Sequence, residues 1–227
     1  RPEAVRPHLF PLDARRCRIL YRAAVEADRP ALLLALREGD TALRAAAAGV
    51  LGLLDAEAET RGALVLALTD EDARVRAVAA GALGASRDRA AAAALESATA
   101  DTESEVRAAA ARALGRLGVG AAALRGLVAG GGRPAVEALE ALAGFRDPAD
   151  APRFRAALAG DDAEIVKIAI RLGNLPWADI VPLLAHARWD VRAAAVEVLR
   201  EVPEAAGALA AHRRRETDPL VLRLLES

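Results

Sequence analysis

The amino-acid sequence predicts an all-α solenoid of about seven helix pairs, and two observations lead to this prediction. An alanine-rich segment recurs along the 227-residue chain at a spacing of about 31 residues. Hydrophobic residues make up 54% of the chain but aromatic residues only 3%, so the core must consist of small and aliphatic side chains. Such side chains let helices pack closely, which favours stacked helices over one large globular core.

The repeat is clearest where a valine or leucine is followed by arginine and then by several alanines. The arginines at this position are Arg44, Arg76, Arg107 and Arg192. The first two spacings are 76 − 44 = 32 and 107 − 76 = 31 residues. Lys167 follows Arg107 after 167 − 107 = 60 residues, which is two periods of 30. We therefore expect a diverged copy between them, with Ala135 in the arginine position.

Each copy also carries the apolar stripe of one amphipathic helix. Apolar residues recur at positions i, i+3, i+4, i+7 and i+8, as in Val75, Val78, Ala79, Ala82 and Leu83. A shorter helix is expected before each of these helices. The shorter helices are predicted at residues 30–38, 57–68, 87–98, 120–129, 150–159, 177–186 and 204–213. Two helices per period form an array of helical hairpins, in which each pair buries its apolar face by stacking on the next.

Acidic residues are expected to stabilise the starts of the longer helices. Asp70, Asp101 and Asp161 each lie six residues before the basic residue of their copy. A carboxylate at the N-cap accepts hydrogen bonds from the first free backbone amides of a helix. We therefore interpret these three residues as structural rather than as catalytic acids.

The repeat resembles a known family. The pattern D-x-x-x-x-V-R-x-x-A-A-x-A-L-G, which begins at Asp101, resembles the short HEAT repeat of bacterial proteins, including the repeats of phycobilin lyases. The resemblance implies an armadillo-like, right-handed α-α superhelix over residues 30–227, with the second helix of each pair on the concave surface. It also implies that each repeat arginine pairs with an aspartate of its own or a neighbouring repeat. By this resemblance, a structural ladder consists of Arg44, Arg76, Arg107, Arg192, Asp70, Asp101 and Asp161.

Charge and composition limit the class of partner and the compartment. Lys and Arg number 31 and Asp and Glu number 32, so no global positive field would attract nucleic acid or an anionic membrane. Cys17, the one cysteine, cannot form an internal disulfide and is interpreted as a small buried residue. The longest apolar run, residues 31–36, is far shorter than the ~20 residues that span a bilayer. We therefore expect a cytoplasmic protein.

The chain begins at Arg1 and contains no methionine, which predicts that a further segment precedes it. We accordingly expect residues 1–29 to be an N-terminal helical cap or the remnant of that preceding segment, and residues 30–227 to form the solenoid.

The sequence carries no recognisable catalytic constellation. His8, His186 and His212 are widely separated and lack metal-ligand spacing, and the His-Glu pairs of HEAT-type hydroxylases are missing. The glycines at 130–132 lack the Lys-Ser/Thr of a phosphate-binding loop and are interpreted as a linker. We therefore predict no catalytic residue, no metal and no cofactor.

The position five residues after the repeat arginine varies in charge along the array. It holds Gly49, Gly81, Arg112, Glu140 and Glu197. A surface whose charge changes sign suits one particular protein better than a uniform polyanion.

Trp189, expected to be partly exposed near a helix start, is either an anchor for a partner peptide or a core residue. The basic residues 213–215 either bind phosphate or acidic protein or lie at a solvated helix end.

The leading functional prediction is a non-catalytic scaffold or adaptor that binds another protein or peptide through its concave face. The candidate binding residues are Arg112, Glu140, Trp189 and Glu197. Two alternatives remain open: a DNA-binding or DNA-repair HEAT-like protein, and a chromophore-handling protein similar to phycobilin lyases. The near-neutral charge disfavours the first alternative, and nothing in the sequence identifies a tetrapyrrole pocket for the second.

Overall fold

The computed structural model describes residues 28–54 and 57–226, and all regular secondary structure in these two ranges is helical. The prediction of an all-α solenoid with seven helix pairs is confirmed. Residues 1–27 of the predicted N-terminal cap, which include Cys17, lie outside the described residues. None of the described helices combines the length and the apolar character that crossing a membrane requires.

Each pair consists of a first and a second helix, numbered here along the chain. The first helices are α1 (Arg29–Glu38), α3 (Ala58–Ala67), α5 (Ala92–Ala98), α7 (Ala121–Val128), α9 (Ala151–Ala157), α11 (Trp177–Ile180) and α13 (Ala206–Arg213). The second helices are α2 (Thr41–Leu51), α4 (Ala73–Ala85), α6 (Ser104–Leu117), α8 (Gly132–Phe145), α10 (Ala163–Leu172), α12 (Trp189–Leu199) and α14 (Pro219–Leu224).

Four of the first helices are shorter than the sequence predicts, because part of each is a 3-10 turn. These turns are Arg89–Ala91, Pro148–Asp150, Val181–Ala185 and Pro203–Ala205. In the third of them Pro182 has no backbone N–H to continue the α-helical hydrogen bonds, and the α-helix ends at Ile180.

The second helices form the continuous layer of the array. Each packs side by side with the second helix of the next pair, from α2 to α14, whereas the first helices contact one another much less. Leucine, valine and alanine side chains between the two layers form one connected core. The closer packing of the second helices is what the expected concave placement of these helices requires.

Glycines allow this close approach at three successive joints. Gly52 lies against Ala82, Gly84 against Ala113, and Gly115 against Ala141. A Cβ atom added to these glycines would come within 2.5 to 2.7 Å of the facing alanine. The helix backbones are therefore in contact at a distance that only glycine permits.

The prediction that Asp70, Asp101 and Asp161 are N-caps is wrong, because the helices start later than expected and the N-cap of α6 is Glu103. Asp72 and Asp162 are the N-cap residues of α4 and α10, and each accepts hydrogen bonds from amides of the first turn. Asp70 instead accepts a hydrogen bond from the amide of Asp72 at 2.9 Å, two residues further on.

Candidate protein-binding surface

Two of the repeat arginines bind an aspartate of the following pair in the same geometry. Nε and Nη2 of Arg44 donate to the two carboxylate oxygens of Asp70, both at 2.9 Å. Arg76 binds Asp101 in the same way, at 2.8 and 2.9 Å. Hydrogen bonds from Arg76 lower the pKa of Asp101; at Asp70 burial opposes ionisation, but hydrogen bonds from Arg44 and a backbone amide still lower its pKa. These pairs join consecutive repeats at their loops.

The last joint uses a glutamate that the sequence reasoning missed. Nε and Nη2 of Arg192 donate to Glu216 at 2.7 and 2.8 Å, and the side chain of Glu216 is 2% exposed. The hydrogen bonds from Arg192 lower the pKa of Glu216 to about 2, against the cost of its burial. Asp70, Asp101 and Glu216 all lie two residues before the N-cap of a second helix. Glu216 could have been predicted from this shared position.

The joint at Lys167 is built differently. Nζ of Lys167 donates to Glu164 of its own helix at 2.7 Å and to Asp190 of α12 at 3.1 Å. Arg188 also binds Asp190 through two hydrogen bonds of 3.0 Å, and these hold the pKa of Asp190 far below its ordinary value. Asp161 is exposed and forms no ion pair with any described residue.

Arg107 departs from the pattern of the other repeat arginines. Its Nη1 donates to the backbone carbonyls of Asp101 and Thr102, both at 2.7 Å. Within the described ranges, no carboxylate contacts its Nε or Nη2. The position two residues before the N-cap of α8 holds Ala129, so the next pair supplies no acid there.

Two of the four predicted binding residues form ion pairs between neighbouring second helices. Arg112 of α6 binds Glu137 of α8 at 2.9 and 2.5 Å, and Arg171 of α10 binds Glu197 of α12 at 2.8 Å. The side chains of Arg112, Arg171 and Glu197 are between 36% and 49% exposed. The partly exposed side chains of these pairs give α6, α10 and α12 a polar surface that faces solvent. The exposed side chains of α6, α8, α10 and α12 are called the second-helix surface below.

Glu140 lies between these two pairs, at the edge of a cleft of about 870 Å³. Glu140 is exposed and has no ion-pair partner in the described part of the chain. Phe154 of α9 and Leu172 of α10 provide apolar lining, Arg146 provides positive charge, and Arg171, which also lines the cleft, is paired with Glu197. The cleft is therefore lined by apolar and polar groups in about equal measure, including charges of both signs.

Two residues with left-handed backbone conformations shape this cleft. Arg146 and Asn174, which both line it, have positive φ angles of 54° and 46°. Positive φ is uncommon for residues other than glycine, and arginine offers no sequence signal for it. The sequence predicted Glu140 as a binding residue but gave no indication of the cleft beside it.

Trp189 begins α12 and is 46% exposed, apart from the other three candidates. Eight residues separate it from Glu197 on the same helix, which corresponds to about 12 Å along the axis. The structure thus brings Arg112, Glu140 and Glu197 into one row and places Trp189 at the N-terminal edge of the second-helix surface.

The comparisons with known proteins agree with the fold. A family model described as HEAT repeats matches residues 29–115 and 63–137. YibA from Escherichia coli is 17% identical with a TM-score of 0.65, over 93% of this chain and 85% of that chain. A chain of the complex of CpcE and CpcF of phycocyanin lyase from Nostoc sp. PCC7120 is 22% identical with a TM-score of 0.56, over 87% of this chain and 92% of that chain. A search of curated protein sequences gave no significant match.

Proposed function

The chain belongs to the HEAT-repeat family, and on this basis we propose that it is a non-catalytic scaffold that binds another protein through its second-helix surface. The observation that carries the proposal is the cleft beside Glu140, which is lined by the apolar Phe154 and Leu172 and by charged side chains. Binding surfaces between proteins combine apolar and polar groups, and this cleft offers both.

The arrangement of charge supports a protein partner rather than nucleic acid. Arg112 and Arg171, the arginines of this row, each bind a glutamate of the neighbouring helix. Their charge is therefore largely neutralised, whereas binding to a polyanion depends on positive charge that is available to phosphates. Glu140 adds an unpaired negative charge within the described row, which further favours a partner with a basic or mixed surface.

A similar fold also occurs in a complex of two proteins. The phycocyanin lyase structure is described as a complex of CpcE and CpcF. This supports the choice of a protein partner for the present chain, although the chemistry of that complex does not transfer at 22% identity.

Charge reversal at Glu140 tests the proposal. The chain is first purified from its native cells with the proteins that bind it, and the affinity for an identified partner is then measured with purified components. Glu140→Arg should weaken binding by roughly tenfold or more, because it places a repelling charge at the rim of the contact. The unfolding midpoint should change little, since Glu140 is an exposed residue.

Glu96→Arg is the matched control, because Glu96 is an exposed glutamate on the first helix α5. It introduces the same change of charge on the opposite layer and should leave the affinity unchanged. Loss of binding in Glu96→Arg with full binding in Glu140→Arg would place the contact on the first helices and overturn the proposal.

A further inference from the structure

The repeat arginines use their guanidinium groups in a constant way. In Arg44, Arg76 and Arg192, Nη1 donates to one or two carbonyls of the loop before its own helix. The other edge of the group, formed by Nε and Nη2, binds both oxygens of one carboxylate of the next pair, and in Arg44 Nη2 also donates to Glu71 at 3.3 Å. The carbonyls thus fix the plane of the guanidinium, and the free edge receives the acid.

Arg107 has the first half of this arrangement and lacks the second. Its Nη1 is held by two carbonyls at 2.7 Å, as in Arg76, but Ala129 replaces the acid of the next pair. Nε and Nη2 of Arg107 are not among the buried polar atoms that lack a partner in the described residues, so both reach solvent. Ala129, Gly130 and Gly132 are exposed, and no atom lies within 4 Å of the position that a Cβ of Gly132 would take.

We propose that the Nε–Nη2 edge of Arg107 binds a carboxylate of the partner protein, from an acidic side chain or a C-terminus. The two carbonyl contacts orient the guanidinium before binding, which reduces the conformational entropy lost on contact. The three other arginines show that this geometry accepts a carboxylate in two parallel hydrogen bonds. The inference rests on the proposed function, since it assigns one contact of the same protein partner.

A carboxylate fits this position better than a phosphate group. Glu103 lies at the start of the same helix, α6, close to Arg107 in sequence, and is exposed, whereas the nearby Glu105 is paired with Arg133 at 2.6 Å. The negative charge of Glu103 repels a phosphate, which carries up to two charges, more strongly than a carboxylate with one. Trp189 lies on the same N-terminal edge of the second helices, three second helices further along the array at α12.

Nuclear magnetic resonance of the arginine Nε–H groups tests the site directly on the whole chain. Acetate is titrated at constant ionic strength, with chloride as the balancing anion, and the signal of Arg107 is assigned by its loss in Arg107→Lys. Arg76, whose edge already binds Asp101, and exposed Arg214 serve as internal references. Acetate should shift the Arg107 signal saturably, leave Arg76 unchanged and affect Arg214 much more weakly.

The inference is overturned if Arg107 responds no more than Arg214, or if phosphate at equal ionic strength binds Arg107 more tightly than acetate. With an identified partner, Arg107→Lys should lower the affinity roughly tenfold, because lysine lacks the planar fork. Arg74→Lys, at an exposed arginine of α4, is the matched control and should have no effect. Normal binding by Arg107→Lys together with a loss in Glu140→Arg would refute this contact while leaving the proposed function intact.

Discussion

At the scale of single residues, the joints between repeats depend on acids that a neighbouring pair supplies. The side chains of Arg44, Asp70, Arg76 and Asp101 are all between 11% and 14% exposed. At this burial, an ion pair with two hydrogen bonds lies between the exposed pairs that contribute little and the buried pairs whose disruption is costly. Arg107, in the same position of its repeat, is a natural comparison, since no described carboxylate depends on it.

Replacement of the two arginines by alanine should therefore have different effects. Arg76→Ala leaves the carboxylate of Asp101 without its partner and should lower the free energy of unfolding by about 1–3 kcal/mol. Arg107→Ala frees only two loop carbonyls, which water can bind, and should cost less than about 1 kcal/mol. Urea denaturation of both variants measures this difference. Equal losses would show that the carboxylate is not what makes the arginine stabilising.

The joint at Glu216 predicts a dependence of stability on pH. Its pKa is lowered from 4.5 to about 2 in the folded chain, so its ionised form stabilises the fold. This stabilisation is complete above the unfolded pKa and is lost as the pH falls from about 4.5 towards 2.

Glu216→Gln should lower the free energy of unfolding near neutral pH by about 1–3 kcal/mol. The difference from the unchanged chain should shrink as the pH falls through this window. Denaturant titrations at several pH values provide the measurement. A difference that stays constant down to the lowest pH would mean that the ion pair with Arg192 does not lower the pKa of Glu216.

The sequence predicted part of these contacts. The recurring arginines and Asp70 and Asp101 followed from the period and from the family resemblance. The partner of Arg192 did not, because a glutamate stands where other copies have an aspartate. The sequence also did not show that the next pair lacks an acid for Arg107. The position of that acid is defined by its distance from the start of α8, and helix boundaries are poorly predicted from sequence.

At the scale of helices, the close packing of the second helices depends on glycine at the joints. Gly84 of α4 lies against Ala113 of α6, and a Cβ at position 84 would come within 2.6 Å of the Cα atom of Ala113. Gly81 of the same helix has no atom within 4 Å of the corresponding position. The two glycines differ in contacts but share a helix, which makes them a matched pair.

Gly84→Ala should destabilise the chain by about 1–3 kcal/mol, because the backbones of α4 and α6 must separate to admit the methyl group. Gly81→Ala should instead stabilise it by roughly 0.5–1 kcal/mol, because alanine loses less backbone entropy in a helix. Thermal unfolding followed by circular dichroism compares them. If Gly84→Ala is as stable as Gly81→Ala, the close approach of the second helices is not required.

The sequence predicted the second helices better than the first. The second helices carry long apolar stripes of period 3.6, which are the most reliable helical signal. The first helices are short, and in four of them hydrogen bonding changes to a 3-10 turn. Residues such as Arg87 and Arg146, with φ angles of 57° and 54°, end or precede these segments without any sequence signature.

At the scale of the whole molecule, the array is uneven along its length. The exposed and half-exposed positions of α4 include Ala77, Val78 and Gly81, which offer little to recognise. From α6 to α12 the corresponding surface carries ion pairs, Glu140 and the cleft beside it. Departures from the repeat consensus at exposed positions are where a repeat protein gains specificity. The second half of the array is therefore the part that we expect to contact a partner.

Hydroxyl-radical footprinting of the complex with a co-purified partner tests this central claim most directly, because exposed leucine and tryptophan side chains lie on both layers. Leu172 and Trp189 on the second helices are 45% and 46% exposed, and Leu34 and Leu66 on the first helices are 53% and 67% exposed. The partner should protect Leu172 and Trp189 from oxidation and leave Leu34 and Leu66 as reactive as in the free chain. Protection of Leu34 and Leu66 with unchanged reactivity of Leu172 and Trp189 would contradict the account.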